Sequence, residues 1–339
     1  MICINSFCLY MEASSSLVSD CLEVVGLLCC AWRELMLRAG IDLGTNSFLL
    51  TIAELEEGDL QCVVEEKLFS VRLGEELEPD MKIKTPAWIR AMDALAYFQE
   101  RLQHHNIPPT HVRAVGTSAL RRASNGTAFV AEAKEKFAFE IEILAGLEEA
   151  KTSWRGALSG LALPSENAPC LIDIGGGSTE FTWSGGQEVA SLQMGALKFR
   201  EAYIHHDPPL PEELEQIKQH TQRLLHTLPP IPTPKPMLAV AGTATTLVAI
   251  ARQIEPYDGD LVHGQLLVCE EIDRILDQLM ALPLEERQTL PGLSIARADV
   301  IIPGIVILKT TLAHLGVKQI LVSDRGIRYG ILTPKVEPS

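Results

Sequence analysis

The chain lacks any apolar run close to the roughly 20 residues that a bilayer-spanning helix needs. The longest run near its start, Val24 to Trp32, is nine residues, and no Lys or Arg precedes it as a secretory signal requires. Neither a membrane span nor a membrane partner is expected. Basic residues are scarce: 29 Lys and Arg stand against 44 Asp and Glu, a formal net charge of −15. That excludes a broad basic surface and, with it, non-specific binding of nucleic acid. It leaves room for a phosphate-bearing substrate, which a few local cations and backbone N–H groups can hold. Paired cysteine spacings are also missing. Five of the eight cysteines (Cys3, Cys8, Cys21, Cys29, Cys30) fall in the first thirty residues, and Cys62, Cys170 and Cys269 are far apart. With no CxxC or Cys/His metal spacing, neither a disulfide framework nor a zinc site is implied, and a reducing cytoplasm is the expected compartment.

What is present is an ordinary globular composition. Hydrophobic residues make up 47% and charged residues 22%, which excludes a disordered, collagen-like or coiled-coil chain. At about 150 residues per domain, 339 residues suggest two domains. Residues 1–35 are rich in Cys and Ser, carry no clean helical or strand period, and end just before a second Met, Met36. They are expected to be an over-long gene start, with a poorly ordered native tail as the alternative.

From Leu37 the pattern is regular. Strands are expected at 38–42, 48–54 and 59–71, joined by short turns. Thr85-Pro86 opens a helix with apolar residues at Trp88, Ile89, Met92, Leu95, Ala96 and Phe98. A strand at 111–115, a helix at 127–136, a strand at 140–144 and a helix at 147–158 follow. The order then recurs after a connector at 164–169. Strands are expected at 170–174, 178–183 and 187–193, then helices, a proline-rich loop at 229–236, and a strand at 237–241. Helices at 243–252, 270–280 and 297–315, a strand at 318–322 and a final helix at 327–332 complete the second copy. The expected fold is therefore α/β: two duplicated β-β-β-α-β-α-β-α domains, at 36–160 and 161–339, with a ligand cleft between them.

Each copy opens with a strand ending in Asp and then a glycine turn: Asp42-Leu43-Gly44-Thr45 and Asp173-Ile174-Gly175-Gly176. Gly44 lets backbone N–H groups face an anion, Thr45, Asn46 and Ser47 add donors, and Asp42 could hold a hydrated divalent cation. The segment DIGGGSTE is more specific. Gly175, Gly176 and Gly177 form a potential nest of N–H groups, Ser178 and Thr179 flank it, and Asp173 and Glu180 bracket it. Phosphate on the donors with Mg²⁺ on the carboxylates is the natural pairing. It is no Walker A loop, because no Gly-Lys-Ser/Thr follows and it leads into a strand; nor does it match GxGxxG. Gly242-Thr243 repeats the strand-end glycine and points a helix N-terminus toward the cleft. Arg121 and Arg122, just past a strand end, suit either a phosphate clamp or a solvated helix-start pair. Glu148 and Glu149 begin a helix; by spacing alone, a dipole-stabilising surface pair stands ahead of catalysis.

These residues carry a resemblance. The sequence resembles the exopolyphosphatase / guanosine-pentaphosphate phosphohydrolase family of the actin-like, sugar-kinase and heat-shock ATPase superfamily. The matching segments are IDLGTNSF from Ile41, TSALRRA from Thr117, ILAGLEEA from Ile143 and LIDIGGGSTE from Leu171. Gln193 to Gly195, AGTATT from Ala241, ADVIIPGI from Ala298 and SDRGIRYGIL from Ser323 continue it, over about Leu37 to Leu332. The resemblance implies actin-like (ribonuclease-H-like) domains and hydrolysis of a terminal phosphoanhydride. It implies Glu149 as general base, with Glu180 as its catalytic companion. Asp173, Glu180 and Asp42 would hold Mg²⁺ or another divalent cation. Gly44, Thr45, Asn46, Ser47, Gly175, Gly176, Gly177, Ser178 and Thr179 would cradle phosphates. Arg121 would bind phosphate, with Arg297 and Arg328 as weaker candidates. Inorganic polyphosphate and guanosine pentaphosphate (pppGpp) remain open as substrates, and a homodimer remains an open state. Long family members carry a further helical domain absent from this sequence, so a long polyphosphate track is not expected. A kinase of the same superfamily would need an acceptor-binding aspartate in place of Glu149, and a non-enzymatic sensor would not need the carboxylates.

Overall fold

The structure, a computed structural model, describes residues 36–161, 163, 169–231 and 237–332. The leading segment 1–35, most of the 164–169 connector and residues 232–236 of the proline-rich loop lie outside the described residues.

Strand β1 (Met36–Leu43) is the centre of the first sheet, and its Ile41 and Leu43 are fully buried. It pairs antiparallel with β2 (Phe48–Glu56), which pairs antiparallel with β3 (Asp59–Phe69). The two-residue turn between β2 and β3 takes φ of 52° at Glu57 and 95° at Gly58. Positive φ at both positions is the hairpin geometry that matches strand twist, and Gly58 accommodates it without steric cost. Helix α1 (Thr85–His104), with Pro86 in its first turn, buries Ala87, Ala91, Met92, Leu95, Phe98 and Leu102 at three- and four-residue spacing. That stripe covers the sheet beside Phe48 and Phe129. Each fully buried Leu or Phe contributes about 1.5–3 kcal/mol. Strand β4 (Val112–Gly116), short helix α2 (Ser118–Arg122), α3 (Gly126–Lys136), β5 (Ile141–Ile143) and α4 (Gly146–Leu158) complete the first half. Its strand order is β3-β2-β1-β4-β5, with β1, β4 and β5 parallel.

The second half repeats the plan. It contains β6 (Cys170–Ile174), β7 (Thr179–Trp183), β8 (Glu188–Leu192), α5 (Ala196–Tyr203), α6 (Pro211–Leu225), β9 (Met237–Val240), α7 (Ala241–Arg252) and α8 (Gly259–Val262). Then come β10 (Gln265–Val268), α9 (Cys269–Met280), α10 (Leu284–Arg287), α11 (Ile301–Leu315), β11 (Gln319–Val322) and α12 (Ile327–Gly330). The order β10-β11-β9-β6-β7-β8 contains the first sheet's arrangement strand for strand. The addition is β10, an antiparallel edge strand that the sequence pattern did not mark. The helix expected over 297–315 is broken. Residues 295–297 form a separate 3₁₀ turn and α11 begins at Ile301. Pro303 explains this: it has no N–H to donate, and is tolerated only in a first turn.

Two crossings tie the halves together. Helix α4 leaves the first half and packs on the second sheet, where Ala157 joins Leu171, Leu238 and Val240. The chain end returns the other way: Ile331 packs on Val115 and Leu144, and Leu332 on Ala53 and Leu55. Where α4 meets α12, Gly156 faces the backbone of Gly326 and Gly330, and Gly330 faces the carbonyl of Thr152. No helix of the described residues is long and apolar enough to cross a membrane.

Candidate active site

A cavity of about 560 Å³ opens between the halves. The carboxyl ends of β1 and β6, the central strands of the two separate sheets, both open on it. Asp42, Gly44, Thr45, Asn46, Ser47, Glu149, Asp173, Gly175, Gly176, Gly177, Ser178 and Glu180 all line it. Arg297 and Arg328 line it too. The two glycine loops meet across the cleft. A Cβ on Gly176 would lie 3.2 Å from Thr45 Cβ, and one on Gly177 would lie 3.3 Å from Thr45 Oγ1 and from Ser118 Oγ. Close approach, rather than a left-handed backbone, is what favours glycine there.

Two expected residues stand elsewhere. Arg121 does not line the cavity; its Nη1 donates to Glu149 Oε2 at 2.7 Å and to the Leu144 carbonyl at 2.8 Å. Helix α2 starts directly after β4, beside the N-terminus of α4, so the guanidinium reaches the nearest carboxylate before any cleft ligand. Thr179 is also outside. Its Oγ1 donates to the Met194 carbonyl at 2.7 Å, inside the strand layer. Conversely, Ser118 lines the cavity and its buried Oγ has no hydrogen-bond partner. Its place directly after β4, in TSALRRA, is the signal in the sequence for this position.

Glu149 is held by Arg121 near the start of α4. Burial pushes its carboxyl up to about 7, against the pull of Arg121 and with a further push from Asp173. Asp42 is raised well above its usual range by burial and then by Glu149 and Asp173. Glu180 is raised well above its own by burial, with Glu149 and Asp173 adding repulsion. Burial raises Asp173 against the hydrogen bond from Ser153 Oγ to its Oδ2 at 2.5 Å. Ser191 Oγ donates to Glu180 at 2.8 Å. Four mutually repelling carboxylates in a buried cleft create a demand for positive charge.

The donor set suits a hard divalent cation. Asp42 lines the cavity and its Oδ1 is buried without a hydrogen-bond partner. Among the described residues no three His, Cys, Asp or Glu side chains already form a metal cage. Magnesium does not require one: it keeps several waters and takes one or two carboxylates plus substrate phosphate oxygens. The residues present therefore fit such an ion.

The same carboxylates make stability depend on pH with a definite sign. Folding raises their pKa values above the reference values of 3.8 and 4.5. The stabilising protonated form is thus complete below those values and is lost as pH rises through the folded ones. Cation-free protein is expected to be less stable at pH 8 than at pH 5. Asp42→Asn removes one of the like charges. It should raise the cation-free Tm at pH 8 by about 1–2 °C, the equivalent of about 1 kcal/mol in a chain of this size. Thermal unfolding with chelator at both pH values measures this, and a fall in Tm at pH 8 would contradict the charge argument.

Duplicated sheets around a cleft lined by glycine loops and carboxylates define an actin-like, phosphate-handling hydrolase. The Ppx/GppA phosphatase family pattern matches residues 51–338, and the chain belongs to that family. It is a phosphoanhydride hydrolase. The chain is 31% identical over 313 residues to exopolyphosphatase 2 of Mycobacterium tuberculosis, covering 86% of this chain and 96% of that one. It is 28% identical over 317 residues to a bifunctional 3-dehydroquinate synthase/phosphatase of Fusobacterium nucleatum, covering 90% of this chain but 47% of that longer protein. The crystal structure of the Aquifex aeolicus Ppx/GppA family member superimposes with a TM-score of 0.73 at 28% identity, over 88% of this chain and 97% of that one.

Proposed function

We propose that the protein is an exopolyphosphatase that hydrolyses the terminal phosphoanhydride of inorganic polyphosphate and releases orthophosphate. Residues 36–160 and 161–339 act as its two halves. The observation that carries this reading is Glu149. A buried carboxyl near pH 7 faces, in one cavity, two glycine loops and three further carboxylates. The M. tuberculosis relative's name supports polyphosphate as substrate.

In this reading Gly44 to Ser47 and Gly175 to Ser178 hold the terminal phosphates through N–H and hydroxyl donors. Arg121 fixes Glu149 in place. Glu149, aided by Glu180, orients a water and takes its proton as the water oxygen attacks the terminal phosphorus. The bond from that phosphorus to the bridging oxygen breaks, and the electron pair leaves on the shortened chain. Asp42, Asp173 and Glu180 would hold Mg²⁺, which when bound neutralises phosphate charge. Positioning and charge neutralisation are most of what phosphoryl transfer needs.

A base works unprotonated, so kcat/KM is expected to rise with pH through about 7, following Glu149. A profile flat from pH 5.5 to 8.5 would remove Glu149 from that role. The second reading is a pppGpp 5′-phosphohydrolase. Ile254, Pro256, Tyr257 and Leu293 form an apolar wall of the same cavity, against which a flat base could lie. Phosphate release with Mg²⁺ at neutral pH, compared on long polyphosphate, short polyphosphate, pppGpp and ATP, decides between them. Faster release from polyphosphate supports the first reading and faster release from pppGpp the second. Silence on all four from folded protein rejects both.

A further inference from the structure

On the edge of the cleft where the glycine loops meet, the two halves are joined by polar bridges that the proposed chemistry does not use. Arg72, in the loop after β3, reaches across to Asp299, before α11. Its Nη1 and Nη2 donate to the two carboxylate oxygens at 2.8 and 2.7 Å. The Arg72 and Asp299 side chains are only 25% and 13% exposed. Arg72 has φ of 52°, a left-handed backbone uncommon for a residue with a side chain. Two further bridges flank the pair. The Glu76 N–H donates to Glu201 on α5 at 3.0 Å, and Lys198 on α5 lies 3.0 Å from Glu78.

The Arg72 loop on one side and α5 on the other are bonded to the glycine loops. Asp299 is tied to α5 through Arg200, whose Nε lies 3.9 Å from its carboxylate, and through Val300, which packs on Ala196 and Leu197. The Arg72 N–H donates to the Asn46 carbonyl at 2.8 Å and the Gly74 N–H to the Thr45 carbonyl at 3.0 Å. On the other side, the Ala196 and Lys198 N–H groups donate to the Gly175 and Gly176 carbonyls, each at 3.0 Å. The loop 72–78 therefore moves with the first glycine loop, and α5 with the second.

We propose that Arg72 and Asp299 are positioning residues that clasp the closed cleft and set the spacing of the two phosphate loops. The claim rests on the hydrolase reading for its kinetic part only. Apart from the clasp the halves are connected by chain and by the α4–α12 crossing. The clasp is polar, so water can replace its bonds on opening. A lone exposed ion pair would contribute little, but this pair is bidentate, mostly buried and reinforced by two neighbours. Substrate phosphates that need both loops bind only the closed population. The apparent affinity then falls by the fraction that is closed.

The effect expected of Arg72→Ala is a KM raised about tenfold with kcat within about twofold, as for a closed fraction cut to about a tenth. The charge swap Arg72→Asp with Asp299→Arg should recover part of the loss, less than all of it because Glu75 and Glu201 flank position 72 and Arg200 flanks position 299. A second readout is independent of activity. Spin labels on exposed Ile89 in the first half and exposed Leu210 in the second report their distance in substrate-free protein. Arg72→Ala should broaden and lengthen that distribution, and the swap should narrow it again. Arg72→Lys, which keeps the charge but not the fork, serves if Arg72→Ala fails to fold, and should shift both readouts in the same direction. A purely structural ion pair would lower Tm and leave KM and the distance distribution as in the parent, which would overturn the proposal. If the parent hydrolyses nothing, the hydrolase reading fails, and the distances alone decide the clasp.

Discussion

Glu149→Gln is expected to lower kcat by about 10²- to 10⁴-fold, the usual worth of a positioned general base. The amide keeps the size of the side chain and can still accept from Arg121, so the fold should survive. It cannot take a proton from water. Substrate affinity should stay within a few-fold, because the proposed phosphate contacts come from the glycine loops, not from Glu149. Measured side by side, kcat and KM separate the base from a binding residue, for which KM would carry the loss. The pH dependence supplies a second check. The rise through about pH 7 assigned to Glu149 should disappear from whatever rate remains. Unchanged turnover in this variant would reject the assignment.

The second large effect belongs to the helix crossing. Gly330→Ala places a Cβ against the Thr152 carbonyl, and Gly156→Ala places one against the Gly326 carbonyl. Both obstacles are backbone, so no side-chain rotation relieves them. Overpacking a closed contact costs about 1–3 kcal/mol and occasionally more, and these sites should reach or exceed the upper end. The strain would be relieved by pushing α4 away from α12. Since α4 carries Glu149 and Ser153, that movement also displaces the carboxylate cluster. Loss of stability in urea and loss of activity should therefore appear together. At Gly185, where φ is 68° and an added Cβ would meet nothing within 4 Å, Ala should cost only the backbone strain. Equal effects at Gly185 and Gly330 would mean that the crossing is not close-packed.

Much of this architecture is written in local pattern. The strands at 38–42, 48–54, 170–174 and 178–183 lie within a residue or two of β1, β2, β6 and β7, because short, mostly buried apolar runs bounded by glycine turns are short-range signals. The repeated Asp and glycine turn marked the ends of β1 and β6, and the cleft collects both. Strand β10 is not legible in this way because it has four residues and Leu266 is exposed, so it has no periodicity to detect. The break before α11 is signalled by Pro303, but the apolar run from Val300 outweighs that residue in a local pattern.

The site divides in the same way. Residue types and turns are properties of nearby sequence, so Asp42, Asp173, Glu180 and both glycine loops could be nominated from sequence. Partners are properties of distance in space. Arg121 lies 28 positions before Glu149 and Arg72 lies 227 before Asp299, separations over which no period connects two side chains. Only the folded chain brought Arg121 onto Glu149 instead of into the cleft, turned Thr179 toward Met194, exposed Ser118 to the cavity and joined the halves through Arg72. The duplicated α/β plan and the chemistry available at its strand ends are thus encoded locally, in residue type and spacing. Which of those groups face one another is settled in three dimensions, because desolvation, charge pairing and close backbone approach arise only when distant segments are packed together.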